Sequence, residues 1–153
     1  MGTSQRDPSG SENPGLETSV RMKSVRQRDT KPEIAVRRVL HRMGYRFRLC
    51  PVDLPGRPDI ANAKRRWCIF VHGCFWHGHQ DCPLFTVPKT NTAWWRRKVE
   101  ANRVRDARKE AAMRDLGFRV AVVWQCETED RQVLERRLAI FFANADLWME
   151  GAE

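Results

Sequence analysis

The 153-residue chain lacks any long apolar run: its most apolar stretches, residues 118–124 and 138–143, fall well short of the roughly 20 residues that cross a bilayer. No transmembrane segment is expected. The opening residues, Met1-Gly2-Thr3-Ser4-Gln5-Arg6, have no apolar centre of an export signal, so a secreted protein is not expected either. Lysine is scarce, six residues against 22 arginines, and no internal repeat is evident. Cysteine is odd in number (Cys50, Cys68, Cys74, Cys82 and Cys126), and without an export signal these thiols are expected to stay reduced in a cytoplasm. Metal ligation or burial then has to account for them.

What is present has the balance of a folded domain. Apolar residues make up 41% and charged residues 31%, with six tryptophans, and the length suffices for one core without disulfide staples. The net charge of +9 is concentrated: residues 31–120 hold twenty basic and eight acidic groups, whereas residues 121–153 hold three and seven. A soluble surface needs charge but not this bias of sign. Because the planar arginine fork matches phosphate bidentately, a polyanion is the first partner to consider.

Residues 1–20 are rich in Ser, Gly, Pro and charge, which predicts a disordered tail ahead of a domain over residues 21–150. Thr30-Lys31-Pro32-Glu33 is a capping-box pattern; Val36, Val39, Leu40 and Met43 then follow the spacing of one helical face, and Gly44 is a plausible stop. Tyr45, Phe47 and Leu49 alternate with Arg46 and Arg48, predicting a half-buried strand with a basic outer face. Asp59-Ile60-Ala61 begins a second strand, and residues 67–71 read as a third, buried one. From His72 to Lys89 no period survives, and the stretch is dense in Gly, His, Cys and aromatics, the composition of a site. A helix over residues 92–116 is expected to turn Trp95, Val99, Ala107, Ala111 and Leu116 inward, with Gly117 ending it. A buried strand over 118–124 and a helix over 129–144 complete an α/β fold, a central mixed sheet flanked by helices.

Cys74, His79 and Cys82 lie within nine positions, and Cys126 follows the last strand. Thiolates and imidazole are the usual tetrahedral zinc ligands, and a closed four-ligand set is structural. Cys-x4-His-x2-Cys is not a highly specific spacing, however, and burial as small hydrophobes accounts for free cysteines equally well. Cys50 and Cys68 have no metal-like spacing and are assigned to the core. Asp59, after Gly56-Arg57-Pro58, is read either as a turn carboxylate or, with His72 and His77, as part of a hydrolytic site. A carboxylate that can hold Mg²⁺ beside an imidazole that can take a proton from water suits phosphodiester cleavage. Phe75-Trp76, and Trp94-Trp95 ahead of Arg96-Arg97-Lys98, set aromatics beside positive charge; such pairs are core more often than they are wedges between bases.

The strings Leu54-Pro55-Gly56-Arg57-Pro58-Asp59, Phe70-Val71-His72-Gly73-Cys74-Phe75-Trp76-His77-Gly78-His79 and Cys82-Pro83-Leu84-Phe85 resemble the very short patch repair (Vsr) endonuclease family. The resemblance runs from about Met22 to Glu127 and implies a restriction-endonuclease-like fold with a structural zinc site. It implies a bacterial, cytoplasmic, nucleoid-associated enzyme that nicks double-stranded DNA beside T:G mismatches left by deamination of 5-methylcytosine. Coupling to a cytosine-5 methyltransferase and to repair proteins would accompany that role. By resemblance, Asp59 holds Mg²⁺ with the backbone carbonyl of Val71, His77 activates the attacking water, and His72 and Asp106 support it. Glu33 matches a family position near the active site alongside its capping role. Cys74, His79, Cys82 and Cys126 match the Zn²⁺ set, and Phe75, Trp76 and Trp95 the wedge that opens the duplex. Two departures stand out: Val71 replaces a threonine, which a carbonyl ligand tolerates, and the loop over 77–82 is one residue longer and poorer in histidine than the family's run. A monomer is expected, since a mismatch is not a palindrome. The competing readings are a restriction-type or less specific nuclease with the same site, and a non-catalytic zinc-stabilised DNA-binding module.

Overall fold

A computed structural model of the chain describes residues 28–144. The tail expected over residues 1–20 lies outside the described residues, as do both ends of the expected 21–150 domain. The elements are α1 (Lys31–Arg42), β1 (Arg48–Leu49), β2 (Ile60–Asn62), β3 (Trp67–His72), α2 (Thr92–Asp115), β4 (Arg119–Trp124), a 3-10 turn (Gln125–Thr128) and α3 (Arg131–Ala143). The strands form one mixed sheet in the order β1-β2-β3-β4: the first two pairings are antiparallel, and β3 and β4 run parallel, joined by α2 as the crossover. No helix among the described residues is long and apolar enough to cross a membrane.

Local chemistry sets the ends of these elements. Thr30 caps α1 by accepting from Glu33 N–H at 3.4 Å, and Pro32 sits in the first turn, where no donor is needed. The return arm of the expected capping box differs: the Glu33 carboxylate takes the Asp29 N–H at 3.0 Å and the Thr30 hydroxyl at 3.1 Å. Gly117 closes α2 at φ +79°, a left-handed conformation that disfavours side chains. Asp130 caps α3 through Gln132 N–H at 2.7 Å and Val133 N–H at 3.2 Å.

Period-2 alternation distributes the strands between two layers. Ile60, Trp67, Ile69, Ala121 and Val123 face α1 and α3, meeting Val36, Val39, Leu40, Leu134, Leu138 and Phe142 in the main core. Ala61, Cys68 and Phe70 face the other way, toward Leu54 and Met113 of α2. The expected strand over 45–49 shrinks to the exposed pair Arg48–Leu49, because Tyr45 and Phe47 pack onto the main core before pairing begins, Tyr45 stacking on Phe142 at 3.8 Å. Cys68 is fully buried as expected, but Cys50 is only half-buried, in a turn at φ +43°.

The inner face of α2 also differs from expectation. Trp95 and Val99 are buried, but Ala107, Ala111 and Leu116 are exposed, and the stripe continues instead through Asn102, Asp106 and Met113. The spacing is helical throughout; the residues on it change from apolar to polar where α2 crosses the loop that follows β3.

Candidate active site and metal centre

The polar groups gather at the carboxyl ends of the parallel strands, where crossover topology leaves a crevice. His72 ends β3 on the α2 side, continuing the line of Cys68 and Phe70, and is in register with Trp124 at the end of β4. Asp59 directly precedes β2, which pairs antiparallel to β3, so it returns to the same edge. Its Oδ2 accepts the Val71 N–H at 2.7 Å. Burial raises the Asp59 carboxyl to about 6, and the nearby Glu33 charge pushes the same way. Two carboxylates so placed favour a cation between or beside them. Glu33 is itself buried and salt-bridged to Arg37 at 3.1 Å.

Beyond β3 the chain turns tightly. His77 N–H bonds Gly73 O at 3.1 Å, Gly78 N–H bonds Phe75 O at 3.4 Å and His79 N–H bonds Cys74 O at 2.9 Å. This winding sends His77 and His79 to opposite tasks. His77 Nδ1 lies 2.6 Å from Asp106 Oδ2, and since a carboxylate only accepts, Nδ1 is the donating nitrogen. Burial works against the Asp106 charge, but the hydrogen bond and charge of His77 outweigh it and hold the carboxyl below the usual aspartate value. His72 stacks parallel on His77 at 4.1 Å; burial, aided by His77, pushes its imidazole down to about 4, so it is neutral at pH 7. A cleft of about 460 Å³ opens beside these rings, lined by His72, His77, Asp106, Arg103, Glu110 and Trp124 among others.

His79 faces the other way, stacked on Trp124 at 4.1 Å. Its Nδ1 is 3.5 Å from both Cys74 Sγ and Cys126 Sγ, and the donor atoms of Cys74, His79, Cys82 and Cys126 all lie within 4.8 Å of one another. Tetrahedral bonds of about 2.3 Å to sulfur and 2.0 Å to nitrogen put those two atoms about 3.5 Å apart, so the cluster has the dimensions of a four-ligand metal site. The Cys126 N–H points at Cys74 Sγ at 3.4 Å, a contact that suits a thiolate. Burial and the neighbouring thiols push Cys126 up to about 12, and burial also raises Cys74, so without a cation this set has no means of ionising together. Asp81, directly ahead of Cys82, adopts a left-handed φ of +55°.

The aromatic residues form a cluster around Trp95. Its ring lies 5.4 Å from Phe75, 6.0 Å from Trp76 and 4.9 Å from Trp94. Phe75 and Trp76 are half-buried whereas Trp95 is only 6% exposed, so Trp95 is the support and the other two are the accessible rings. Reasoning from sequence missed Asn102, Arg103 and Trp124. Asn102 Nδ2 donates to Trp76 O at 2.7 Å, Arg103 donates to Gly78 O, and Trp124 separates His72 from His79. A polar residue at a buried helical position was the available signal for Asn102.

An imidazole hydrogen-bonded to a carboxylate, beside a thiol–imidazole cluster and an arginine-rich helix, is an arrangement that suits hydrolysis of a phosphodiester. A family model described as DNA mismatch endonuclease Vsr matches residues 16–83. The chain is 57% identical over 117 residues to Type II nicking enzyme V.XorIIP of Xanthomonas oryzae pv. oryzae, covering 76% of this chain and 85% of that protein. It is 38% identical to Type II nicking enzyme V.NmeAIP of Neisseria meningitidis, covering 76% and 83%, and 41% identical to DNA mismatch endonuclease Vsr of Escherichia coli, covering 76% and 74%. The chain belongs to the Vsr DNA mismatch endonuclease family, and its mixed sheet between helices has the restriction-endonuclease-like form.

Proposed function

We propose that the protein nicks one strand of double-stranded DNA next to T:G mismatches produced by deamination of 5-methylcytosine, acting as a monomer in a bacterial cytoplasm. The observation that carries the hydrolytic part of this reading is the 2.6 Å His77–Asp106 pair beside Asp59 and His72. Asp106 fixes the tautomer that leaves His77 Nε2 able to take a proton from water, and it offsets the imidazolium that forms. Neutral His72, stacked on His77, keeps the ring from turning without adding a second charge. Asp59 and the carbonyl of Val71 would hold Mg²⁺, which when bound supplies Lewis-acid stabilisation to the phosphate. Cys74, His79, Cys82 and Cys126 would hold Zn²⁺ and tie the loop after β3 to the end of β4. Phe75 and Trp76, backed by Trp95, would enter the base stack, favouring a duplex that opens at low cost. The basic outer face of α2, with Arg96, Arg97, Lys98, Arg105 and Arg108 exposed, supplies phosphate contacts.

The test is strand-resolved cleavage of an end-labelled duplex with one T:G mismatch in varied flanking sequence, beside matched T:A and C:G duplexes, in Mg²⁺ and in EDTA. A Mg²⁺-dependent nick beside the mismatched T alone is the expected result. Equal cutting of all duplexes would leave a nuclease without mismatch specificity.

A further inference from the structure

Helix α2 seats the loop over residues 76–79 at four points. Val99 lies under Gly78, where a Cβ would come within 2.3 Å of Val99 Cγ1, and Gly78 adopts φ +63°. Asn102 holds the Trp76 carbonyl and Asp106 holds the His77 ring. Between them, Arg103 Nη2 donates to the Gly78 carbonyl. The same guanidinium has its Cζ 6.0 Å from the Phe85 ring centroid and its Nη1 3.8 Å from the Glu100 carboxylate. Arg103 also lines the cleft beside His77.

Gly78 is the single residue joining His77 to His79, so its carbonyl is the point at which the hydrolytic imidazole and the metal-cluster imidazole are held in one frame. Arg103 differs here from Arg96, Arg97, Arg105 and Arg108: they are exposed on α2, whereas Arg103 is half-buried with its fork turned onto the loop. The structure assigns Arg103 as a positioning residue of the nicking reaction, holding Gly78 so that His77 keeps its bond to Asp106 and its orientation in the cleft. This rests on the reading of His77 as the base. A base held loosely spends less time aligned with its water, and a misplacement of about 1 Å can cost as much as about 10²-fold in rate.

The experiment compares the parental chain with R103A, R103K and H77A by single-turnover nicking at saturating duplex, alongside duplex Kd, bound metal per chain and thermal midpoint. R103A is expected to lower the saturated rate 10- to 100-fold with Kd within twofold and full metal content, and R103K to recover part of the loss through its single donor. A parental rate in R103A overturns the assignment. So does a loss confined to Kd, which would make Arg103 a phosphate contact, or a rate loss that tracks lost metal or folded protein, which would make it a strut. An inactive H77A beside a fully active R103A removes this proposal alone, whereas a parental rate in H77A removes the base and the proposal with it.

Discussion

The two faces of one four-stranded sheet carry different burdens. On the side of α1 and α3 the buried residues are hydrocarbon, from Val36 and Leu40 through Ile69 to Leu138 and Phe142. On the side of α2 the apolar cluster is small, and toward the carboxyl ends of β3 and β4 it gives way to His72, Asn102 and Asp106. Burying such groups costs free energy that hydrogen bonds only offset, so this face can afford its site because the other supplies the stability. The two faces should therefore respond oppositely to substitution.

The largest effects belong to the polar face and should be catalytic. His77→Ala is expected to reduce nicking by about 10²–10⁴-fold, the usual worth of a general base, and Asp59→Ala to reduce it below detection. Each should cost no more than about 1–3 kcal/mol of stability, since Asp59→Ala leaves the Val71 N–H and His77→Ala the Asp106 carboxylate without its partner, so the loss of rate far exceeds the loss of folded protein. Parental nicking by either variant would break the division of roles. Next comes metal removal: after a chelator strong enough to strip the Cys74–His79–Cys82–Cys126 cluster, those three thiols should become alkylatable while Cys68 stays shielded, and nicking should return with Zn²⁺ but not with Mg²⁺ alone. Mass mapping of the alkylated peptides reads this directly.

The apolar face should answer in stability alone. Leu138 is fully buried, and Leu138→Ala should cost about 2–5 kcal/mol in denaturant unfolding, with the rate per folded molecule unchanged. A smaller loss, about 1 kcal/mol, is expected from Asp130→Ala, which removes the cap of α3 without touching either core.

The apolar face was also the more legible one. Val36, Val39 and Leu40 announce themselves by helical spacing, and residues 67–71 by continuous hydrophobicity, because burial against hydrocarbon imposes a period. The polar face has no such period. Ala107 and Ala111 look like inward positions on composition, yet Asn102 and Asp106 take those places because the stripe is read by a loop carrying its own donors and acceptors. The cluster around His79 was visible as residue types, but whether Cys82 joins it depends on how Asp81 turns, which spacing does not encode. Asp59, His72 and His77 could be grouped from residue type as a hydrolytic set, with a turn carboxylate as the alternative for Asp59, and the family resemblance supplied their separate roles. Their proximity arises from antiparallel pairing of β2 with β3, a non-local fact.

Cys68 offers the finest test, since it sits on the polar face yet behaves as core. Burial pushes its thiol up to about 12, with Arg114 opposing and Glu110 adding to the effect. In the unfolded chain the thiol ionises near 8.5. Below that pH both states keep the proton and the contribution of Cys68 is complete. As pH rises above it, the unfolded chain sheds a proton that the folded chain retains, so stability falls, by about 0.8 kcal/mol at pH 9. Cys68→Ala removes that one proton from the linkage and leaves the metal-cluster thiols as they were. Denaturant unfolding of both proteins between pH 7.5 and 9 should therefore give a shallower alkaline decline for the variant, whatever constant penalty the lost sulfur adds. Parallel declines would mean that the Cys68 thiol ionises as readily in the fold as in the open chain, and that the small apolar cluster on the α2 side does not shield it.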